Sequence, residues 1–271
     1  EKSGTFRDFV DLERYGINPT ATFAPSRKTK IVTSFEYFRD NRVADRGIPS
    51  YQGRPADVPI ETFYGNPDDS HVRASVRLGS ATLEQQLGRW TLRNHTMIGD
   101  YDRGYQNYVA GAVTPDKSQD SISAYNNATQ RTNVFNQSDL TGSIHTGWLE
   151  HRMLAGMELG PQSTSNLRNT GYFNNTATSV LVPYADPTIH LPVTFRPSAT
   201  DADNQVGANV AATYLQDQIK ITRFLQVVSG VRFDRFALDF LNRRTGDRLA
   251  RTDNLISPRV GVVLKPTDRK S

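Results

Sequence analysis

Hydrophobic and polar residues alternate with a period of two along most of the chain, whereas the 3.6-residue period of helices is weak throughout. The segment 225–234 shows the alternation clearly. Its apolar positions are Leu225, Val227, Val231 and Phe233, and its polar positions include Gln226, Arg232 and Asp234. Because successive side chains of a strand point to opposite faces of a sheet, this pattern predicts an all-β fold.

Nine strands are predicted, and the lengths of their connections follow a rule. The strands lie at about 17–25, 29–39, 70–79, 88–101, 131–145, 151–160, 207–220, 224–240 and 253–264. The short connections are "PSRK", "SATLEQQLG" at 80–88, "TGWLE" and "ITR", and the long ones are 40–69, 102–130, 161–206 and 241–252. Short and long connections alternate without exception. An antiparallel up-and-down sheet with turns at one end and long loops at the other produces this order.

The apolar parity can face either a dry core or lipid. It holds Ile31, Thr33, Phe35 and Tyr37 in one strand, Val72, Ala74, Val76 and Leu78 in the next, and Trp90, Leu92, Thr96 and Ile98 in a third, with Asn94 as an exception. A soluble barrel would bury these residues, whereas a membrane barrel would turn them to lipid around a wet interior. Two features favour the membrane barrel.

The first feature is strand length, since most predicted strands exceed the roughly five or six residues usual in soluble proteins. The second is the position of aromatic residues near strand ends, as in the interfacial girdles of membrane barrels. These residues are Tyr37, Phe38, Trp90, Tyr101, Tyr105, Phe224, Phe233 and Phe236. Asp217 shares the apolar parity and breaks the rule, so we expect it near the periplasmic interface, where a charge costs less.

Composition narrows the possible functions. The 271 residues are 37% hydrophobic and 10% aromatic, which is not typical of a disordered chain. The formal net charge is +4, from 32 basic and 28 acidic residues, so the sequence predicts no nucleic-acid partner. No cysteine is present, which excludes thiol catalysis and cysteine-ligated zinc. No apolar run reaches the 18 residues of a transmembrane helix.

Motifs of catalysis and metal binding are also missing from the sequence. It has no G-x-S-x-G, P-loop or H-E-x-x-H pattern, and the adjacent Asp68 and Asp69 should point apart, so the chain is not expected to be an enzyme. His145 and His151 flank a turn without forming a ligand set. The segment "DADNQVG" has Val206 where a calcium loop needs glycine. The sequence therefore predicts no catalytic residue, no cofactor and no metal site.

Several segments resemble one known family. "YLQDQIKI" and "LQVVSGVRFDRF", within 214–236, resemble the paired "YxQDQ" and "GxRYD" strands of TonB-dependent outer-membrane receptors. Further similarities are "DRGIPS" at 45–50, "WTLRNHTMIGDYDRGYQN" at 90–107, "HRMLAGMEL" at 151–159 and "SPRVGVVLKP" at 257–266. Together they resemble ferric-siderophore receptors, most nearly those of the catecholate type.

This resemblance implies a transmembrane β-barrel in the bacterial outer membrane that binds a ferric siderophore and imports it with energy from TonB. It implies iron only as part of the ligand, a TonB–ExbB–ExbD complex that acts through an amino-terminal region, and contact with lipid and lipopolysaccharide. The plug domain and the carboxy-terminal strands of the family are missing, and nine strands cannot close a barrel of roughly 22. We therefore expect residues 1–271 to be a partial barrel domain, cut at both ends.

A ferric catecholate is anionic and aromatic, so its recognition requires cationic groups and aromatic surfaces. The segments predicted as long loops offer Tyr64, Arg103, Tyr105, Tyr108, Tyr125 and Tyr172. The densest group is "DYDRGYQNY" at 100–108. Each tyrosine could instead belong to the aromatic girdle or to loop packing. Arg46 is expected to hold its loop in shape.

Charges on the polar parity are expected to bond to a plug and to one another across the interior. They are Arg73, Arg93, Arg232 and Asp234. Two other functions stay open, a passive porin-like barrel and a soluble secreted β-sandwich or adhesin.

Overall fold

A computed structural model describes residues 1–265 as one antiparallel sheet with short strands attached to it. Within these residues, no helix is long and apolar enough to span a membrane. The strands are β1 (Lys2–Gly4), β2 (Asp11–Ile17), β3 (Thr20–Ser26), β4 (Thr29–Arg42), β5 (Ser50–Tyr51), β6 (Arg54–Pro55), β7 (His71–Leu87), β8 (Trp90–Val113), β9 (Gln119–Thr146), β10 (Leu149–Phe173), β11 (Ser179–Pro183), β12 (Val193–Arg196), β13 (Asp203–Lys220), β14 (Leu225–Asn242) and β15 (Arg248–Leu264).

The long strands pair with their neighbours in chain order. The order is β1-β2-β4-β7-β8-β9-β10-β13-β14-β15, while β3 pairs with β4, β11 with β9 and β12 with β10. Over the described residues β1 and β15 do not pair with each other, so the sheet is open. The predicted all-β, antiparallel, up-and-down architecture is confirmed, and each of the nine predicted strands is present. The last residue of the segment 257–266 and the terminal "PTDRKS" lie outside the described residues.

Several segments predicted as connections are strand. Residues 80–87 belong to β7, and the turn between β7 and β8 is 88–89. The segment 102–130 is the upper part of the β8–β9 hairpin, whose turn is 114–118. The segment 102–130 resembles a loop in sequence because its strands continue above the apolar band, where polar residues lie on both parities. Within residues 1–265, the long connections that remain are 43–70 and 174–202.

The register of pairing defines two faces of the sheet near its short turns. The face called here the apolar face carries Ile31, Phe35, Ala81, Leu83, Leu92, Ile98, Val134, Leu140, Met157, Leu159, Leu215, Val227, Val231 and Phe233. The opposite face, called the polar face, carries Lys30, Glu36, Glu84, Arg93, Asp139, Glu158, Gln226, Arg232 and Asp234. Ile98 is 58% exposed and Val231 is 47% exposed. The apolar residues therefore do not surround a dry centre.

The predicted orientation of strand 70–79, that is, the side of the sheet on which its apolar residues lie, is wrong. In β7, Leu78 pairs with Glu36 and Ala74 pairs with Asp40, so the predicted apolar parity of 70–79 lies on the polar face. The part of β7 that follows the apolar face is 79–87. Arg73, expected among the inward charges, lies on the apolar side of the sheet above the apolar band. Its exposed neighbour Arg77 pairs there with Asp100 at 3.3 Å. Register, which is set by neighbouring strands, decides the side.

Asp217 lies on the apolar face close to the short turn 221–224, as the sequence predicts. Its Oδ2 is 2.6 Å from Nδ1 of His151, whose Nε2 is 2.6 Å from the hydroxyl of Thr146. The charge is thus hydrogen-bonded at the edge of the apolar band.

The most buried cluster lies far from the short turns, on the continuation of the apolar face. It consists of Tyr64, Tyr108, Ile122, Ala124, Phe173, Val182 and Ile189. The two long connections cover the upper ends of β8, β9 and β10 here and contact each other, since the amide of Ile189 donates to the carbonyl of Gly65 at 2.9 Å. These connections are therefore packed structures with a small core of their own.

Candidate ligand-binding site

The β8–β9 hairpin is taller than its neighbour β7. Pairing between β7 and β8 ends where His71 meets Gln106, whereas β8 continues to Val113. On the other side, β9 and β10 stay paired up to Tyr125 and Thr170. The upper polar face of β8, β9 and β10 is therefore a wall that rises above the apolar band.

Arginine and tyrosine side chains from this wall, from the 43–70 connection and from β12 stack on one another. The group, called here the arginine–tyrosine array, consists of Arg46, Arg103, Tyr105, Tyr125, Arg168, Tyr172 and Arg196. Cations over aromatic faces are attracted by the ring quadrupole.

Tyr105 and Tyr125 form the centre of the array. They are diagonal neighbours on β8 and β9, since Tyr105 pairs with Asn127 and Tyr125 with Asn107, and their rings meet edge to face with centroids 5.8 Å apart. The guanidinium of Arg168 lies 3.9 Å from the centroid of Tyr125. Arg46 and Arg103 lie 5.3 Å and 5.8 Å from the centroid of Tyr105. One row of rings is thus bordered by cations at both ends.

Tyr172 and Arg196 form a second stack above this row. The guanidinium of Arg196 lies 3.8 Å from the ring centroid of Tyr172 and donates to the carbonyl of Asn175 at 3.2 Å. β12 pairs with the end of β10 and so places these two side chains on the same face as the other array residues.

Two open cavities adjoin the array. The first, about 380 Å³, lies between the start of the 43–70 connection and the sheet, with Arg46, Arg103 and Tyr105 in its wall. The second, about 500 Å³, lies against the polar face beside Tyr101 and Arg131. Arg103 borders both cavities. This side chain is exposed and accessible to a ligand in either one.

The two ends of the ring row differ in charge. Arg168 pairs with Asp201 at 3.3 Å, so its charge is compensated. In residues 1–265, neither Arg46 nor Arg103 forms an ion pair with a carboxylate, and Arg46 donates instead to Oδ1 of Asn107 at 2.8 Å. The Tyr105 end is therefore cationic, and the Tyr125 end is close to neutral.

Asp201 is ionised despite being buried. Its burial by itself would raise its pKa, but hydrogen bonds from Ser198 and Thr170 outweigh this effect and hold the pKa below the usual value. The carboxylate is therefore negative at neutral pH and compensates Arg168.

The structure brings four of the six predicted ligand-binding residues together and places the other two elsewhere. Arg103, Tyr105, Tyr125 and Tyr172 belong to the array. Tyr64 and Tyr108 are each 1% exposed and belong to the buried cluster on the opposite side of the sheet. Their rings offer no surface to a ligand. Both tyrosines instead have the alternative role stated above, the packing of loops.

The hydroxyls of these two tyrosines form hydrogen bonds with the 43–70 and 174–202 connections. Tyr108 donates to Oδ2 of Asp69 at 2.6 Å, and Tyr64 donates to the carbonyl of Tyr184 at 3.3 Å. Burial raises the pKa of Tyr64 to about 12 and, with the carboxylate of Asp69, raises that of Tyr108 as well. Asp68 instead lies 3.2 Å from Nδ1 of His190. The adjacent carboxylates thus have different partners.

Sequence reasoning missed three members of the array. Arg168 and Arg196 were not singled out, and Arg46 was expected only to shape its loop. Arg168 has the same parity as Tyr172 in one strand, which is a signal that could have identified it. Arg46 does hold its loop, through Asn107, but it also lies over Tyr105. The cluster depends on pairing between segments that are distant in the sequence.

Below the array, the polar face carries a hydrogen-bonded network of charged groups. Arg232 pairs with Glu158 and, at 2.8 Å, with Asp234. The hydroxyl of Tyr214 donates to Asp139 and lies within reach of Gln137. Predicted bonding among the inward charges is thus present for Arg232 and Asp234. Over residues 1–265, no group of three or more histidine or acidic side chains could hold a metal ion.

Comparisons with known proteins agree on one family. The sequence model described as TonB dependent receptor-like, beta-barrel, matches residues 16–271. The metal-pseudopaline receptor CntO of Pseudomonas aeruginosa is 27% identical over 98% of this chain and 38% of its own length. The probable TonB-dependent siderophore receptor PiuA of Acinetobacter baumannii is 28% identical over 100% of this chain and 40% of its own length. The chain thus spans about two fifths of these relatives.

Solved structures have the same fold. The siderophore receptor PiuA from Acinetobacter baumannii superimposes with a TM-score of 0.84 and 21% identity over 99% of this chain and 42% of that one. The ferric-catecholate import receptor Fiu from Escherichia coli, in its closed form, gives a TM-score of 0.78 and 20% identity over 98% of this chain and 43% of that one. In this fold the apolar face meets lipid and the polar face lines the interior.

Proposed function

Because the chain belongs to the TonB-dependent receptor β-barrel family, we propose that it is part of the wall of an outer-membrane receptor that binds a ferric siderophore at the arginine–tyrosine array. The full-length receptor imports this ligand by gated transport, without covalent chemistry. Iron is cargo held by the siderophore, and the protein itself needs no cofactor. Partners of the full-length protein are the TonB–ExbB–ExbD complex, and lipid and lipopolysaccharide around the apolar face.

One observation carries the proposal. The ring of Tyr105 lies 5.3 Å and 5.8 Å from two guanidinium groups, of Arg46 and Arg103, that have no carboxylate partner in the described chain, beside cavities of about 380 and 500 Å³. A ferric catecholate offers negative charge and flat aromatic rings, which match guanidinium groups and tyrosine faces. The names of Fiu and PiuA, ferric-catecholate and siderophore receptors, agree with this ligand class. The name of CntO, a metal-pseudopaline receptor, keeps other metal chelates as a second candidate.

The test uses the full-length receptor in detergent, with iron(III) tris-catecholate as the probe and quenching of tryptophan fluorescence as the readout. Arg103→Ala should weaken binding about tenfold, because it removes a charge-assisted contact at the ligand. Arg73→Ala is the matched control, since Arg73 is also an exposed arginine on a neighbouring strand but lies on the other side of the sheet. Equal affinities of both variants and the wild type would contradict the proposal.

A transport assay distinguishes the receptor from a passive porin-like barrel. Uptake of radioactive iron as the tris-catecholate should depend on TonB if the protein is a gated receptor. A passive barrel would give the same uptake in cells that lack TonB.

A further inference from the structure

Asp201 has two carboxylate oxygens with separate partners. Oδ2 accepts hydrogen bonds from the backbone amide of Thr170 at 2.9 Å, from the hydroxyl of Thr170 at 2.8 Å and from the amide of Ser198 at 2.7 Å. Oδ1 faces Nε of Arg168 at 3.3 Å. The residue is 6% exposed. One oxygen thus fixes Asp201 to β10, and the other is free to orient Arg168.

Arg168 transmits this contact to the array. Its guanidinium lies 3.9 Å from the centroid of Tyr125, and Tyr125 meets Tyr105 edge to face. An arginine side chain has many rotamers, and a stack on a half-buried tyrosine such as Tyr125 is weak unless a second contact restricts them. The ion pair with the fixed oxygen of Asp201 supplies that second contact.

We propose that Asp201 is a positioning residue for ligand recognition: through Oδ1 it holds Arg168 on Tyr125 and cancels its charge. This inference rests on the proposed siderophore-binding function of the array. The Tyr125 end then forms a rigid, nearly neutral aromatic shelf. The negative groups of a ligand bind at the other end, at Arg46 and Arg103. Asp201 thereby sets both the shape of the array and its charge difference.

Because the two oxygens have separate partners, one substitution can remove the ion pair and keep the other hydrogen bonds. In Asp201→Asn the amide oxygen can take the place of Oδ2 and accept all three hydrogen bonds, whereas the amide nitrogen replaces Oδ1 and repels Arg168. The loop should therefore keep its structure while the ion pair is lost. Asp203→Asn is the matched control, because Asp203 also pairs with an arginine, Arg243 at 3.6 Å, which is not part of the array.

The experiment is a double-mutant cycle in the full-length receptor with iron(III) tris-catecholate as the probe. Asp201→Asn should lower affinity about fivefold, as expected for the loss of an ordered stack, and Asp203→Asn should not. Arg168→Met should weaken binding similarly. Because Asp201 acts through Arg168, the double variant should bind no more weakly than Arg168→Met alone.

Fluorine NMR of receptor labelled with meta-fluorotyrosine provides a second readout, with the Tyr125 signal assigned by Tyr125→Phe. Asp201→Asn should shift this signal in the ligand-free protein. Additive losses in the cycle, or an unmoved Tyr125 signal, would overturn the inference and leave Asp201 with a structural role. If the signal moves while Arg103→Ala keeps full affinity, the proposed function fails and the link from Asp201 to Arg168 stands.

Discussion

The phenolic hydroxyl of Tyr108 donates a 2.6 Å hydrogen bond to Oδ2 of Asp69 and so ties the 43–70 connection to β8. Tyr108 is 1% exposed and comes from the strand that also carries Tyr105, but its side chain points to the opposite side of the sheet. The same hairpin thus holds the arginine–tyrosine array on one side and the packing of the connections on the other.

Removal of this hydroxyl should loosen the connection. Tyr108→Phe leaves Asp69 without its donor, so we expect local opening of residues 59–70 to become easier by about 1–2 kcal/mol. Hydrogen exchange of this segment measures the change. Tyr184→Phe is the control, because the hydroxyl of Tyr184 is buried and, in residues 1–265, has no hydrogen-bond partner. Equal exchange in the two variants would show that the bond to Asp69 contributes nothing.

Asp120 should make the packing of the connections depend on pH. The residue is fully buried in β9, where it pairs with Val182 of β11, and neither carboxylate oxygen has a partner in the described residues. Burial raises its pKa from 3.8 to about 6. The unfolded state therefore loses its proton first as pH rises, so stability falls between about pH 4 and 6 and stays lower above that range.

Asp120→Asn should remove this dependence and stabilise the packing at pH 7 by about 3 kcal/mol or less, the equivalent of two pKa units. Hydrogen exchange of 43–70 and 178–189 between pH 4.5 and 7.5, corrected for intrinsic rates, measures it. Asp116→Asn is the control: hydrogen bonds from Thr114 and Ser118 lower the pKa of Asp116 to about 2, so its contribution changes only below this range. A flat wild-type profile would refute the prediction.

Two asparagines on the apolar face, Asn94 and Asn136, should be compatible with a stable barrel only when both are present or both are replaced. Asn94 donates to Oδ1 of Asn136 at 3.2 Å and to the hydroxyl of Ser138 at 2.7 Å, and Asn136 donates to Oδ1 of Asn94 at 3.3 Å and to the hydroxyl of Thr96 at 2.7 Å. Leu92 and Ile98 flank the cluster on β8. Each amide thus satisfies the other where lipid offers no hydrogen bond.

Asn136→Leu should destabilise the full-length barrel by about 1–3 kcal/mol, because Asn94 loses its partner in an apolar medium. Adding Asn94→Leu should recover most of this loss. Denaturant unfolding from lipid vesicles measures both variants. Strictly additive losses would show that the two amides do not depend on each other.

Ionic strength should weaken ligand binding through the arginines of the array. Arg46 and Arg103 are exposed, so salt screens their attraction for an anionic probe. The affinity of the full-length receptor for iron(III) tris-catecholate should fall as sodium chloride is raised, and Arg46→Ala combined with Arg103→Ala should make the dependence shallower. The same salt dependence in this double variant would place the anion elsewhere.

The sequence by itself determined the class of fold, the places of the eight longest strands from β4 to β15 and the orientation of most of them, but it missed β2. Alternation in 225–234 placed Val231 toward lipid and Arg232 inside, because a strand sorts its own neighbours onto two faces. Of the long connections expected from the chain, 40–69 and part of 161–206 are present as 43–70 and 174–202, and Asp217 lies near a short turn. These features are local and survive without knowledge of any partner strand.

Only the tertiary structure decided where each long strand leaves the apolar band and which side chains meet above it. The side of Val76 depends on its pairing with Phe38, and the parity of β7 alone gave the wrong face. The stack of Arg168 on Tyr125 and its ion pair with Asp201 join three separate segments. Alternation is the same for any register, so contacts between strands depend on pairing that the local pattern does not encode.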